Sequence, residues 1–345
     1  MDTVGILLRA GAAGRDVGSI ADEFDRVEVP AAMGYALGLD PDQDPDGESP
    51  SLPDGRLVVL AGPGVVGTRS IDRLRAFAAA ANVPVANTWG AKGVLPWDSP
   101  HHMGTCGLQG RDFELLDFAS YDAIVATGTD LAESPEERFA LAPFVDIRPT
   151  ALGRLADRAT PSSEPIPSNA LYARLSAVAQ PGYTDDRVPL HPARAVADVR
   201  AASPTGGVVV AEPGLAGLWV ARTFPTTAPG SVVVPAIATP GIAAALALAA
   251  ALRGIPAIAV TTEPLDPTTL GVLELATELG TALAIDVWGA SGPVRRAEEH
   301  LEQLRGAVSE PGVTIVDVPV DTSLTRKLVD AAGAVVAWSG LPRSP

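Results

Sequence analysis

From Arg56 onward, short β-branched runs alternate with segments whose apolar residues recur at helical spacing, and this alternation is the strongest constraint on the fold. In "RLVVLAGPGVVG" a strand, Leu57 to Leu60, runs into a glycine-rich turn. Residues Thr68 to Ala81 follow with Ile71, Leu74, Phe77 and Ala78 on one helical face. Further strands read as "VPVANT" (Val83 to Thr88), "DAIVATG" (Asp122 to Gly128) and "FVDIRP" (Phe144 to Pro149). A second series comprises "GVVVAE" (Gly207 to Glu212), "SVVVPA" (Ser231 to Ala236), "IPAIAVTT" (Ile255 to Thr262), "ALAIDVW" (Ala282 to Trp288) and "VTIVDVPV" (Val313 to Val320). Between these lie helices in "GIAAALALAAALRG", "LGVLELATELG" and "GPVRRAEEHLEQLRGAV". Strands joined by helices must run parallel, so the expected fold is α/β with two doubly wound parallel-sheet domains.

A chain of 345 residues has room for two such domains. The stretch Leu39 to Gly55, "LDPDQDPDGESPSLPDG", is acidic and rich in proline, and reads as a solvated linker, 39–55. It separates a short N-terminal segment, 1–38, from a central domain, 56–157. The first segment is too short for a domain of its own and is expected to dock on something larger. A second linker, 158–187, carries one short helix and leads to a C-terminal domain, 188–341.

The net charge of −16, with no lysine and arginine stripe to offset it, argues against nucleic acid or an anionic membrane as partner. Cys106 is alone, so no disulfide forms within the chain. The most apolar run, Gly241 to Leu252, has about 12 residues where a span needs about 20, and is expected to be a buried helix. The start "MDTVGILLRAGAAGRD" does not resemble a secretory leader, and the expected location is the cytoplasm.

Gly62-Pro63-Gly64-Val65-Val66-Gly67 is a G-x-G-x-x-G between a strand and a helix, which serves either a dinucleotide's pyrophosphate or a tight strand-to-helix turn. The ribose-binding acid expected about 20 residues later is missing from "ANVPVANTWG". "HHMGTC" places His101, His102 and Cys106 in one loop, but the spacing matches no standard zinc pattern. No G-x-S-x-G turn occurs, and no catalytic residue is assigned. His191 suits a helix start and His300 a surface helix, in capping or solvated roles, and the acids of "ESPEERF" (Glu133 to Phe139) suit a first helical turn.

The order of features in "VVLAGPGVVGTRSIDRLRAFAAAANVPVANTWGAKGVLPWDSPHHMGTCGLQG" resembles the central domain of thiamine diphosphate-dependent enzymes such as acetolactate synthase and benzoylformate decarboxylase. The later strands "YDAIVATGTDL" and "FVDIRP" are similar to that domain's too. "PGIAAALALAAALRGIPAIAV" resembles the glycine-started helix and next strand of the family's diphosphate-binding domain, and "VTIVDVPVD" its last strand. The resemblance implies a Gly-Asp-Gly after that strand and paired asparagines further on, holding a magnesium ion on the cofactor's diphosphate. This chain has Thr261-Thr262-Glu263 or Leu265-Asp266-Pro267 there, and no asparagine follows Asn169. Asp266 remains as a lone candidate ligand, although Pro264 and Pro267 beside it favour a turn. The family's pyrimidine-binding domain, with the glutamate that activates the thiazolium, is expected to be missing, "FDRVEVPAAMGYALG" being at most its remnant.

The resulting expectation is a non-catalytic relative, a pseudoenzyme acting by ligand or partner binding. The alternative is the diphosphate-binding half of a two-subunit lyase or carboligase. Some family members carry FAD or another adenine nucleotide on the central domain. By that resemblance Gly62, Gly64, Gly67, Thr127, Gly128, Asp130 and Arg148 are the candidate contacts, with a surface salt bridge the other reading of Arg148. Thiamine diphosphate and magnesium are not expected to bind. A homo-oligomer or a separate partner subunit is expected, with "GIAAALALAAAL" near a homodimer interface.

Overall fold

The computed structural model describes residues 29–44 and 51–338. Two five-stranded, wholly parallel sheets form two α/β layers. The first contains β1 (Leu57–Ala61), β2 (Val85–Thr88), β3 (His102–Cys106), β4 (Ala123–Thr127) and β5 (Phe144–Asp146), in the order β3-β2-β1-β4-β5. The second contains β6 (Val208–Ala211), β7 (Val232–Val233), β8 (Ala257–Thr262), β9 (Leu283–Gly289) and β10 (Val313–Pro319), in the order β10-β9-β8-β6-β7.

Both faces of each sheet are covered, which is why the strands are apolar without alternation. On the first sheet Val59 and Val125 pack under the helix Ile71–Ala81, and Val58, Leu60 and Ile124 pack on Phe113, Phe118 and Leu171. On the second, Val209, Ile258 and Ala284 meet the helices Pro192–Ala202, Leu215–Thr223 and Ala297–Ser309. Its other face carries the helix Ile242–Leu252, in which Ile242 to Ala250 are all buried.

That helix is covered by the chain itself, as the buried-helix expectation has it. Ala32, Met33 and Leu37 of the N-terminal segment join the same core. The part of the acidic stretch described here also packs: Asp42 donates its amide to the Gly67 carbonyl, and the Asp44 carboxylate accepts from the Thr150 amide and hydroxyl. Residues 1–28, 45–50 and 339–345 lie outside the described residues, and with them the first five residues, 24–28, of "FDRVEVPAAMGYALG". β3 is a further difference, because "HHMGTC" is an edge strand hydrogen-bonded to β2 and not a loop. Among the described residues no helix is long and apolar enough to cross a membrane.

Candidate functional site

In an open parallel sheet, ligands lie beyond the carboxyl ends of the strands where the winding direction reverses. In the first sheet that point falls between β1 and β4, whose exits are Gly62–Gly67 and Gly128–Asp130. The two turns are pressed against each other. The Gly62 amide donates to Thr127 O at 2.9 Å and the Gly64 amide to Gly128 O at 2.8 Å. A Cβ on Gly62 would lie 2.2 Å from Gly128 O, and one on Gly64 2.8 Å from Gly128 Cα. The glycines are therefore required for backbone-to-backbone approach. The amides of Val65, Val66 and Gly67 donate to carbonyls of Gly62 and Pro63, so this turn already has internal acceptors.

A cleft of about 1360 Å³ opens beside these turns, between the two domains. Of the sequence-derived candidates, Gly64, Gly67, Gly128 and Asp130 line it, whereas Gly62, Thr127 and Arg148 do not. Thr127 is buried at the end of β4, and Arg148 is exposed beyond β5. The Asp130 carboxylate accepts from the Ala132 amide at 2.8 Å. The helix Ala31–Ala36 closes one side, held by Arg69, which donates to Tyr35 O and Leu39 O and stacks on the Tyr35 ring at 4.1 Å. Leu131 and Ile237 stand on the rim, 72% and 70% exposed. Glu133 also lines the cleft, accepts the Gly90 amide at 3.1 Å, and is pushed up to about 8 by burial.

The winding of the second sheet reverses between β6 and β8. Here two helix N-termini meet, since a Cβ on Gly241 would lie 2.9 Å from the Thr269 amide nitrogen. Each is closed by a carboxylate of the chain. Asp266 Oδ1 accepts the amides of Thr268 and Thr269 at 2.9 and 3.0 Å, and Oδ2 accepts the Thr269 hydroxyl at 2.6 Å. Asp266 is thus the N-cap of the helix Pro267–Glu278. Glu212, just after β6, accepts the Ala243 amide at 2.9 Å, and the amides of Ile242 and Gly241 also favour its charged form. Burial pushes the Glu212 carboxyl up to about 7, with the charge of Asp266 adding to the rise.

The remaining candidates have local partners. His102 Nε2 lies 3.1 Å from Asn87 Oδ1, and burial, then Lys92, lowers its pKa to about 4. His101 Nδ1 is 3.1 Å from Val83 O, and the buried Cys106 thiol contacts Asn87 O, its pKa raised by burial. Among the described residues, no group of three or more histidine, cysteine, aspartate or glutamate side chains is placed to hold a metal. His191 caps its helix by accepting the Ala193 amide at 3.1 Å. His300 corrects the solvated reading: it is fully buried, with Nδ1 3.1 Å from Asp198 and Nε2 3.0 Å from Asp286. Asp286 sits within the apolar-looking run "ALAIDVW", and that lone acid in a buried strand was the available signal.

Residues 54–162 match the family model described as the thiamine pyrophosphate enzyme central domain. No curated protein matches the chain. Among solved structures, it is similar to an X-ray structure of a protein put forward as a thiamin diphosphate-dependent enzyme, isolated from Mycobacterium smegmatis. The TM-score is 0.60 at 17% identity, covering 77% of this chain and 61% of that one.

Proposed function

We propose that this chain, a member of the thiamine diphosphate-dependent enzyme family through its central domain, is a non-catalytic relative of the family's decarboxylases and carboligases. It works by binding a ligand or partner in the cleft between its domains. The observation that carries this reading is the engagement of Asp266, both of whose oxygens accept hydrogen bonds from its own helix start. A magnesium ion needs six oxygen ligands in near-ideal geometry, several of them water, and anchors through one or two free carboxylates. Asp266 is not such a carboxylate, and the turn around it, Glu263-Pro264-Leu265-Asp266-Pro267, has no glycine to let a diphosphate reach the backbone. Thiamine diphosphate with magnesium does not fit these residues.

On the central side, Gly64, Gly67, Gly128 and Asp130 are the contacts proposed for a ligand, with FAD and ADP the first to try. Such a ligand would be held by the cleft walls, because the fingerprint amides already have acceptors. The apolar rim residues Leu131 and Ile237 favour a partner or ligand with an apolar part. A thermal-shift titration with FAD, ADP and thiamine diphosphate plus magnesium, in parallel, tests the reading. A ligand at 100 times its dissociation constant adds about 2.7 kcal/mol, a plainly visible shift. The expected result is no magnesium-dependent shift with thiamine diphosphate. Such a shift would instead support the diphosphate-binding half of a two-subunit enzyme.

A further inference from the structure

We propose that the cleft between the domains takes an organic cation, a protonated amine or amidinium on an apolar body, and that Glu133 is the carboxylate that receives the positive nitrogen. The inference rests on the reading that this cleft binds a ligand, and it names that ligand's chemical class. Glu133 follows the exit turn of β4 and is only 2% exposed, yet it lines the cleft of about 1360 Å³. A carboxylate withdrawn from water needs a cation or several donors to compensate its charge. Glu133 accepts the Gly90 amide at 3.1 Å, the Thr88 hydroxyl favours its charge from beyond hydrogen-bond geometry, and Asp130 opposes it. None of these groups is a cation. Thr88 Oγ1 and, next in the chain, Ser134 Oγ are buried without a hydrogen-bond partner. A bound nitrogen cation would supply the counter-charge that Glu133 lacks, and its N–H groups the donors that this polar corner leaves open.

The charge of the lining points the same way. Among the described residues Asp40, Asp42 and Asp130 join Glu133 there, against Arg69 and Arg253. Both arginines donate to the N-terminal segment, Arg69 to Tyr35 O and Leu39 O and Arg253 to Leu37 O, so they brace the wall of the cleft. An entering cation is therefore drawn in by the surplus of carboxylates. Leu131 and Ile237, exposed on the rim, offer the rest of such a ligand an apolar surface.

Isothermal titration calorimetry with benzamidine, an amidinium on an aromatic ring, and with benzamide, its neutral isostere, tests the proposal on the wild type and Glu133→Gln at pH 8.5. Benzamidine should bind the wild type saturably and about tenfold more tightly than benzamide, and Glu133→Gln should lose about that tenfold. The titratable groups facing Glu133 are Asp130 and the buried Cys106 thiol, and burial pushes Glu133 itself up to about 8. Benzamidine stays charged throughout, so its wild-type affinity should rise by up to about tenfold per pH unit from pH 6 toward pH 8 and level off above, while Glu133→Gln stays flat. Circular dichroism and the melting temperature establish that the variant is folded. If it is not, the preference of the wild type for benzamidine over benzamide and its pH profile decide. No saturable benzamidine binding, equal affinity for benzamide, or an affinity that Glu133→Gln leaves unchanged would overturn the proposal. Saturable FAD or ADP binding without benzamidine binding would also overturn it while leaving the cleft a ligand site. A magnesium-dependent response of the wild type to thiamine diphosphate would overturn the proposed function instead, so the two failures are distinguishable.

Discussion

Arg222 and Asp112 form a two-pronged ion pair across the domain boundary, with Arg222 Nη2 at 2.6 and 2.8 Å from the two Asp112 oxygens and both side chains buried. Arg222 also donates to Thr105 O at 2.7 Å and to Gln109 Oε1 at 3.1 Å, while Asp112 accepts the amides of Leu108 and Gln109. Nearby, Gln109 donates to Leu328 O and Gly333 O, tying the helix Thr325–Ala332 to the central domain. A buried polar network therefore spans both domains.

Removing one partner of a buried pair strands the other charge, so Arg222→Ala should cost about 3–5 kcal/mol, read from the urea midpoint. The double variant Arg222→Met with Asp112→Leu should recover much of that loss. Equal losses in the single and double variants would contradict the pairing.

His300 lies between two aspartates, and Arg194 balances the charge by donating to Asp198 at 2.9 Å. Burial alone would lower its pKa, but Asp286 and Asp198 outweigh that and push it up to about 9. A raised folded-state pKa stabilises fully below the unfolded value of 6.5 and is lost as pH rises through about 9. The stability gap between wild type and His300→Gln should be widest below pH 6.5 and shrink toward pH 9, by at most about 1.4 kcal/mol per pH unit. Lys92, Glu133 and Glu212 titrate near this window in both proteins and cancel in the difference. A gap constant across the window would contradict the charged bridge.

The parallel sheets were legible because their strands are buried on both faces and so read as unbroken β-branched runs; "LVVLA", "AIVAT" and "AIAVTT" all became strands. β3 was not legible, since an edge strand containing His102, Gly104 and Thr105 lacks both alternation and apolar continuity. Asp266 was readable as a turn from its flanking prolines. Glu212 carries no local signal, because its role depends on a helix about 30 residues away, and Arg222 is paired with a residue 110 positions earlier. The glycine fingerprint gave the place of the loop correctly but not its partner, the Gly128 turn, which only the sheet order brings against it.

Gly128 and Gly254 separate close approach from backbone strain. Both have left-handed φ, +58° and +72°, but a Cβ on Gly128 would lie 2.6 Å from the Val65 nitrogen while one on Gly254 meets nothing within 4 Å. Gly254→Ala should cost about 1–2 kcal/mol from strain alone. Gly128→Ala should cost clearly more and lower the melting temperature further, because two loops must part. Equal costs would show that the glycine turns are not held in contact.

Asp266→Ala removes an N-cap and should lower stability by about 1 kcal/mol, within a range of about 0.5–2, by chemical denaturation. On the proposed reading, in which the carboxylate serves the helix start, adding millimolar magnesium should leave the wild-type and variant curves equally unmoved. A magnesium-dependent gain confined to the wild type would contradict the capping role.

The most direct test of the central claim is equilibrium dialysis of the purified chain against thiamine diphosphate with excess magnesium, quantifying bound cofactor per chain. The account predicts no saturable binding, because both Asp266 oxygens accept hydrogen bonds from its own helix start. One magnesium-dependent equivalent per chain would contradict it.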